Sequence, residues 1–368
     1  MEASYNKKER LLNIEAFRIL AMLLIIAHHI MNSEFAISDN LHAGQYLMPD
    51  DSCIVALFMD GFCIIGVNCF FLLTGFFNIQ FKLRKLVYLI LDLYIVSGLI
   101  RLVGWGSGQY TSAHQFIMEL INPFSMYWFM TVYFILMLIS PFINKLLENI
   151  TAHMYFALII MIFFLFDFVG WLGTFGLLGI GTGYSIVHAV CMYVIGNGAA
   201  KAKNIKIFDM IRRHSIQCTF VFFIMNIVYI FFSYILFADP QRTYQVYSYN
   251  SIINVFLSLA LFDCFRNIQL KNEIVLKVVA CLSPHVLVVY YLHSSSWIGY
   301  YRNLPVTYFD GINKIFFLFL YVPLVFLICV TIDKIKCWFY SDYVMKFSLS
   351  IENKLYQYWT YMVSKSFV

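Results

Sequence analysis

The chain has 368 residues, 61% of them hydrophobic and 12% charged, with a mean hydropathy of +0.76 and a formal net charge of +5. Soluble domains carry roughly 25% charged residues, so this composition excludes a water-soluble globular protein, and the small positive balance reads as membrane topology rather than nucleic-acid binding. Separate apolar runs of about 20 residues, each able to cross a ~30 Å hydrocarbon core, predict an all-α integral membrane protein: a polytopic bundle of about ten transmembrane helices.

The predicted spans are 12–32, 54–79, 84–104, 124–147, 152–172, 184–200, 215–237, 248–266, 275–300 and 313–338. Alternate connecting segments hold 20 Lys and Arg on one side and 4 on the other (Arg101, Arg242, Arg302 and Lys314), with Arg18 inside the first span completing the 25. Cytoplasmic loops are the ones enriched in Lys and Arg, so both termini are expected in the cytoplasm, and residues 33–52, with four acids and no Lys or Arg, outside. The first apolar run is followed by no small-residue cleavage site, so it is read as a span rather than a cleaved signal. Nine cysteines without a CxxC pair argue against disulfides and zinc, and no metal is expected. The transmembrane domain is placed at 1–345 and a cytoplasmic C-terminal tail at 346–368.

The first span carries Arg18 and the pair His28 and His29 in an otherwise apolar run. At about 100° per residue, Arg18 and His29 return to nearly one helix face, roughly 16 Å apart along the axis, while His28 points about 100° away. Glu15 shares the Arg18 face, so Glu15, Arg18 and His29 form an ionisable stripe reaching mid-membrane depth, and such stripes mark functional pathways. The structural alternatives are a snorkelling Arg18 paired with Glu15 and a His29 bonded to a backbone carbonyl.

In GVNCFFLLTGFFN, Asn68 and Thr74 lie between Gly66 and Gly75, a pattern for close helix approach and interhelical hydrogen bonds. Lys82, Arg84 and Lys85 follow at the cytoplasmic surface, as topogenic charge or as a phosphate-binding cluster for a cytosolic anionic ligand. The fourth span has Tyr127 and Trp128 at its outer end and Ser140 and Pro141 near its inner end. The uncharged, glycine-rich stretch Gly170–Gly183 is either a flexible connector or an adaptable gate. In SPHVLVVYYLHSS, Tyr290 precedes His293 by three residues and shares its helix face, where the pair can hydrogen-bond a sugar or each other. Asp60, Asp92 and Asp167 are acids inside apolar runs and are expected to pair with basic groups.

RILAMLLIIAHH resembles the R-x10-H signature of the acyltransferase family 3 membrane proteins, and GVNCFFLLTGFF, YWFMTVYFILMLISPFINKLL, CMYVIGNGA and VVYYLH follow in the family's order. The resemblance covers essentially the whole chain and points to the branch that O-acetylates bacterial capsular and extracellular polysaccharides. It implies acetyl-CoA or another acyl-CoA as cytosolic donor, a lipid-linked or surface carbohydrate as acceptor, and the bacterial cytoplasmic membrane as location. Carried over residue by residue, His29 matches the family's essential histidine and Arg18 its essential arginine. Two departures are that Asn68 stands where many relatives have an aspartate, and that Lys82, Arg84 and Lys85 replace an R-x-x-R pair followed by proline.

On this reading His29 is the general base, a task that suits histidine because its unperturbed pKa lies near neutrality, and Glu15 or another acid orients the network. Arg18 binds the donor together with Lys82, Arg84 and Lys85, while Asn68, Trp128, Tyr290 and His293 contact the acceptor. Covalent transfer through an acyl-histidine is the variant mechanism. The competing functions are a transporter or flippase for lipid-linked sugars and a scaffold within a polysaccharide assembly complex.

Overall fold

The computed structural model describes residues 11–48, 50–110, 112–168, 182–201 and 206–366, and every regular element among them is helical. Most of the Gly170–Gly183 stretch and the side chain of Asp167 lie outside the described residues. Helix α1 (Leu12–Phe35) has 24 residues, about 36 Å at 1.5 Å per residue. Glu15 in its first turn complements the helix dipole, and Ala36, at φ 49°, ends it in a left-handed turn.

After the short α2 (Ile37–His42), α3 (Asp51–Cys63) is capped by the side chain of Asp50 and runs through a two-residue joint into α4 (Gly66–Phe76). Next come α5 (Leu83–Gly106), the surface helix α6 (Ala113–Ile121) and α7 (Trp128–Asn149). Pro141, inside α7, has no N–H for the carbonyl of Met137, and the Ser140 hydroxyl donates to that oxygen instead at 2.8 Å. The chain continues with α8 (Ala152–Ile162), α9 (Ile186–Ala200), α10 (Lys206–Arg213), α11 (Ser215–Ile230), α12 (Pro240–Tyr244), α13 (Ile252–Asn267), α14 (Glu273–Leu282), α15 (Val286–His293), α16 (Ser296–Asn303) and α17 (Gly311–Ser366).

Eight helical stretches among the described residues are long and apolar enough to cross a membrane: Leu12–Phe35, Asp51–Phe76, Leu83–Gly106, Trp128–Asn149, Ser215–Leu236, Pro240–Asn267, Glu273–His293 and Gly311–Tyr358. The chain is thus a multi-pass membrane protein. The other two predicted spans hold shorter apolar helices, Ala152–Leu165 and Ile186–Ala200. The second, at 15 residues, covers only about 22 Å of a ~30 Å core. Helix α17 passes residue 345 without a break, so residues 346–366 extend it.

Helix α1 is the hub, packing against α3, α4, α13, α14, α15, α16 and α17. Small residues set the closest approaches: Gly66 of α4 lies against Ala21 and Ile25 of α1, and Gly75 of α4 lies against Tyr193 of α9. Because α1 is enclosed on most sides, polar groups along it face other helices rather than lipid. The paired acids expected in the apolar runs are found: Asp60 bonds His28 at 2.8 Å and Asp92 bonds Lys336 at 2.8 Å.

Candidate active site

His29 lies between five and six residues past the midpoint of α1, about 8 Å toward the Phe35 end. Its Nδ1 is 3.0 Å from Nε2 of His293, across an interval of 264 residues. His293 in turn places Nδ1 2.7 Å from the carbonyl oxygen of Val289, one turn earlier in α15. A carbonyl can only accept, so His293 Nδ1 carries the proton and, in the neutral ring, Nε2 accepts. His29 must then donate from Nδ1, and its Nε2 keeps a bare lone pair. No described residue bonds that nitrogen. A second residue thereby fixes the tautomer that a general base requires.

His29 opens on a polar cavity of about 210 Å³ that it lines together with Asn32, Ser33, Ser294, Ser295, Gly299 and Arg302. Arg302 ties the two histidine segments together. Its Nη1 donates to the carbonyl of His293 at 2.6 Å, Nη2 to the carbonyl of His29 at 3.2 Å, and Nε to the side-chain oxygen of Asn303 at 3.1 Å. Asn303 donates to the carbonyl of Ile30 at 3.3 Å, and Tyr321 donates to the carbonyl of Arg302 at 2.6 Å, so the arginine is held from both sides. Arg302 stands outside the eight long helices, and burial lowers its pKa to about 10, which leaves it a cation at neutral pH. No carboxylate pairs with it among the described residues.

The other end of α1 carries a second group. Arg18 donates from Nη1 to Glu15 Oε2 at 2.6 Å and sits 6.0 Å from the centre of the Phe77 ring. Lys85 is within reach of the charges of Arg18 and Lys82. Arg266 lies 5.2 Å over the adjoining Phe76 ring and donates to the carbonyl of Ala199 at 2.7 Å. One unbroken helix therefore joins a cationic end at Arg18 to a base-bearing cavity at His29, eleven residues or roughly 16 Å apart.

Compared with known families, residues 11–334 match acyltransferase family 3, described as an acyltransferase domain. The chain belongs to that family. No curated protein and no solved structure matches it significantly. The protein is accordingly a membrane acyltransferase, and the arginine and histidine of α1 occupy the two ends of the arrangement just described.

The structure sorts the remaining expected residues of this acyltransferase. Glu15 pairs with Arg18 and makes no bond to His29, which is oriented by His293 instead. Lys82 and Lys85 are exposed near Arg18, whereas Arg84 is partly buried and its backbone N–H bonds Glu352 of α17 at 3.3 Å. Asn68 is fully buried; its amide donates to the carbonyl of Tyr249 at 2.8 Å and accepts from His188 Nε2 at 2.8 Å. Trp128 stacks on Tyr249 at 5.6 Å and meets the half-exposed Tyr184 at 4.7 Å. Tyr290 packs edge-on to His293 at 6.1 Å and against Phe129 at 5.3 Å, so its ring joins the aromatic group to the histidine pair.

His28 faces away from the cavity, as its helical angle requires, and is buried against Asp60. His285, Asp333 and Cys337 bring three metal-type ligand atoms within 4.8 Å of one another. Asp333 there already accepts from Lys336 at 2.6 Å and bonds His285 at 2.7 Å, so its charge is balanced by protein groups. Two residues of the site escaped sequence reasoning. Arg302 counted only as an outer loop charge, although the polar run Ser294–Ser296 just before it was a usable signal. Arg266 counted only as topogenic charge.

Proposed function

We propose that this acyltransferase moves an acyl group, in the simplest case acetyl, from a cytosolic acyl-CoA to a hydroxyl of a lipid-linked or surface carbohydrate, and that it works in the bacterial cytoplasmic membrane with both termini in the cytoplasm. The observation that carries this reading is the bonding order Val289–His293–His29, which leaves His29 Nε2 unprotonated at a hydroxyl-lined cavity. A base in that state accepts the proton of an acceptor hydroxyl as it attacks the thioester carbon. The cationic end at Arg18, Lys82 and Lys85 supports a donor with phosphates, since guanidinium and ammonium groups bind them by charge-assisted hydrogen bonds. An extended donor entering there spans the roughly 16 Å to His29 along α1. The aromatic group of Trp128, Tyr184 and Tyr249 supports a sugar acceptor, because aromatic faces and sugar C–H faces pack well while hydroxyls find polar partners at the edge.

The test is direct binding of radiolabelled acetyl-CoA to the purified protein in lipid nanodiscs, paired with NMR of the O-acetyl content of the host's surface glycans. The reading requires saturable acetyl-CoA binding weakened in Arg18→Lys, and glycan O-acetylation that depends on the gene. Glycans with unchanged O-acetyl content when the gene is deleted, or a protein that does not bind acetyl-CoA, would sink it.

A further inference from the structure

Arg302 is an unusual presence beside a general base. Near a neutral histidine that must accept a proton, a fixed cation disfavours the imidazolium. The cost is offset only if negative charge arises in the same place at the same time.

Acyl transfer supplies that charge. As the acceptor O–H proton passes to His29 Nε2, a C–O bond forms and the carbonyl π pair moves onto oxygen, giving a tetrahedral oxyanion. Collapse re-forms the C=O bond and breaks the C–S bond, and the proton held on His29 leaves with the thiolate as CoA thiol. Between the two steps the cavity contains an imidazolium, a guanidinium and one oxyanion. Before and after them it contains the guanidinium and neutral groups. A charge that interacts strongly only in the middle of the reaction is one that accelerates it.

The geometry of Arg302 suits this role. A guanidinium has five N–H donors, and three are committed, to Asn303 and to the carbonyls of His293 and His29. Two N–H groups remain among the described contacts, and the side chain lines the same cavity as His29. The committed bonds hold the group still, so it needs no reorganisation when charge develops. Because two of those bonds go to the backbone of the base and of the residue that orients it, base and cation are fixed relative to each other.

We infer that Arg302 is the oxyanion-binding residue of the acyl-transfer step, giving its two remaining N–H groups to the carbonyl oxygen of the thioester as it becomes tetrahedral. This rests on the acyl-transfer reading of the His29 cavity.

The experiment measures acetyl-CoA turnover by the purified protein in nanodiscs, with the lipid-linked glycan fraction of the host membrane as acceptor. Variants Arg302→Ala, Arg302→Gln and Arg302→Lys are compared, each with a thermal melt. Removal of one oxyanion donor lowers kcat by about 10²–10³-fold, so Arg302→Ala and Arg302→Gln are expected to fall by that much with the KM of acetyl-CoA unchanged. Arg302→Lys, which keeps the charge, is expected to fall less than either, and added guanidinium chloride to restore Arg302→Ala saturably. If Arg302→Ala does not fold, the order of Lys over Gln at matched melting temperature decides. A loss that follows the melting temperature, a change confined to KM, or equal rates for Lys and Gln would overturn the assignment of Arg302. Wild-type protein with no acetyl-CoA turnover would instead defeat the acyl-transfer reading beneath it.

Discussion

His29 and His293 share a single hydrogen bond, 3.0 Å from Nδ1 to Nε2, and the bond of His293 to the Val289 carbonyl sets its direction. The reactive nitrogen of α1 is therefore chosen by a residue of α15. This division of labour, one ring acting and a second holding its tautomer, is the general logic of an oriented base.

A positioning role for His293 predicts a graded response. His293→Phe removes the acceptor for His29 Nδ1 and frees the base to take either tautomer; turnover is expected to fall by about 10–10²-fold, the usual cost of losing an orienting partner. His293→Gln keeps an oxygen that can accept and should retain more activity than Phe. Turnover at matched membrane levels checks the order, and equal activity of Phe and wild type would remove His293 from the site.

The adjacent histidines separate catalysis from stability. His29→Ala is expected to lower acyl transfer by about 10²–10⁴-fold, the range for loss of a general base, with little change in melting temperature. His28→Ala strands the fully buried Asp60, one of whose oxygens already has no partner. The cost is about 3–5 kcal/mol if Asp60 stays charged and about 1–3 if it takes up a proton. Melting curves and turnover on the two variants should show opposite defects, and an inactive but fully stable His28→Ala would contradict the assignment.

Much of this arrangement was legible because ionisable groups in apolar runs are conspicuous. Arg18, His29 and His293 announced themselves, and the helical period gave the right faces for His28 and His29. What the period could not give is partnership. Tyr290 and His293 do share a face, yet His293 bonds a ring 264 residues away rather than Tyr290. Arg302 was hidden for another reason: a cation just beyond an apolar span reads as loop charge, and its burial follows from how α16 folds back on α1. Asn68 was visible as a polar interruption, but only the packing of α4 against α9 shows its amide bonded on both sides.

The topology makes its own prediction. With 20 of the 24 Lys and Arg outside the first span assigned to one side, residues 33–52 should face the exterior. Ser38→Cys, in the short α2, is expected to react with an impermeant maleimide in intact cells once the native cysteines are replaced. Labelling of Ser38→Cys only after the membrane is opened would reverse the orientation, and with it the side from which the donor reaches Arg18.

The joint between α4 and α9 is the place where one added methyl should do most harm. A Cβ on Gly196 would sit 2.1 Å from the carbonyl oxygen of Leu72, and one on Gly75 would sit 1.9 Å from that of Tyr193. Both clashes are with backbone, which no rotamer change relieves. The two helices must separate instead, and that pulls on Asn68, whose amide spans from α4 to His188 of α9 and to the Tyr249 carbonyl. Overpacking alone costs about 1–3 kcal/mol, and loosening a buried amide bonded through both its nitrogen and its oxygen adds about 1–3 more. Gly196→Ala is therefore expected to reduce the folded protein in the membrane severely, whereas Gly106→Ala, at a site with open space around it, should be neutral. Membrane levels and melting temperatures of the two variants provide the comparison, and a Gly196→Ala protein as stable as wild type would mean that α4 and α9 do not approach this closely.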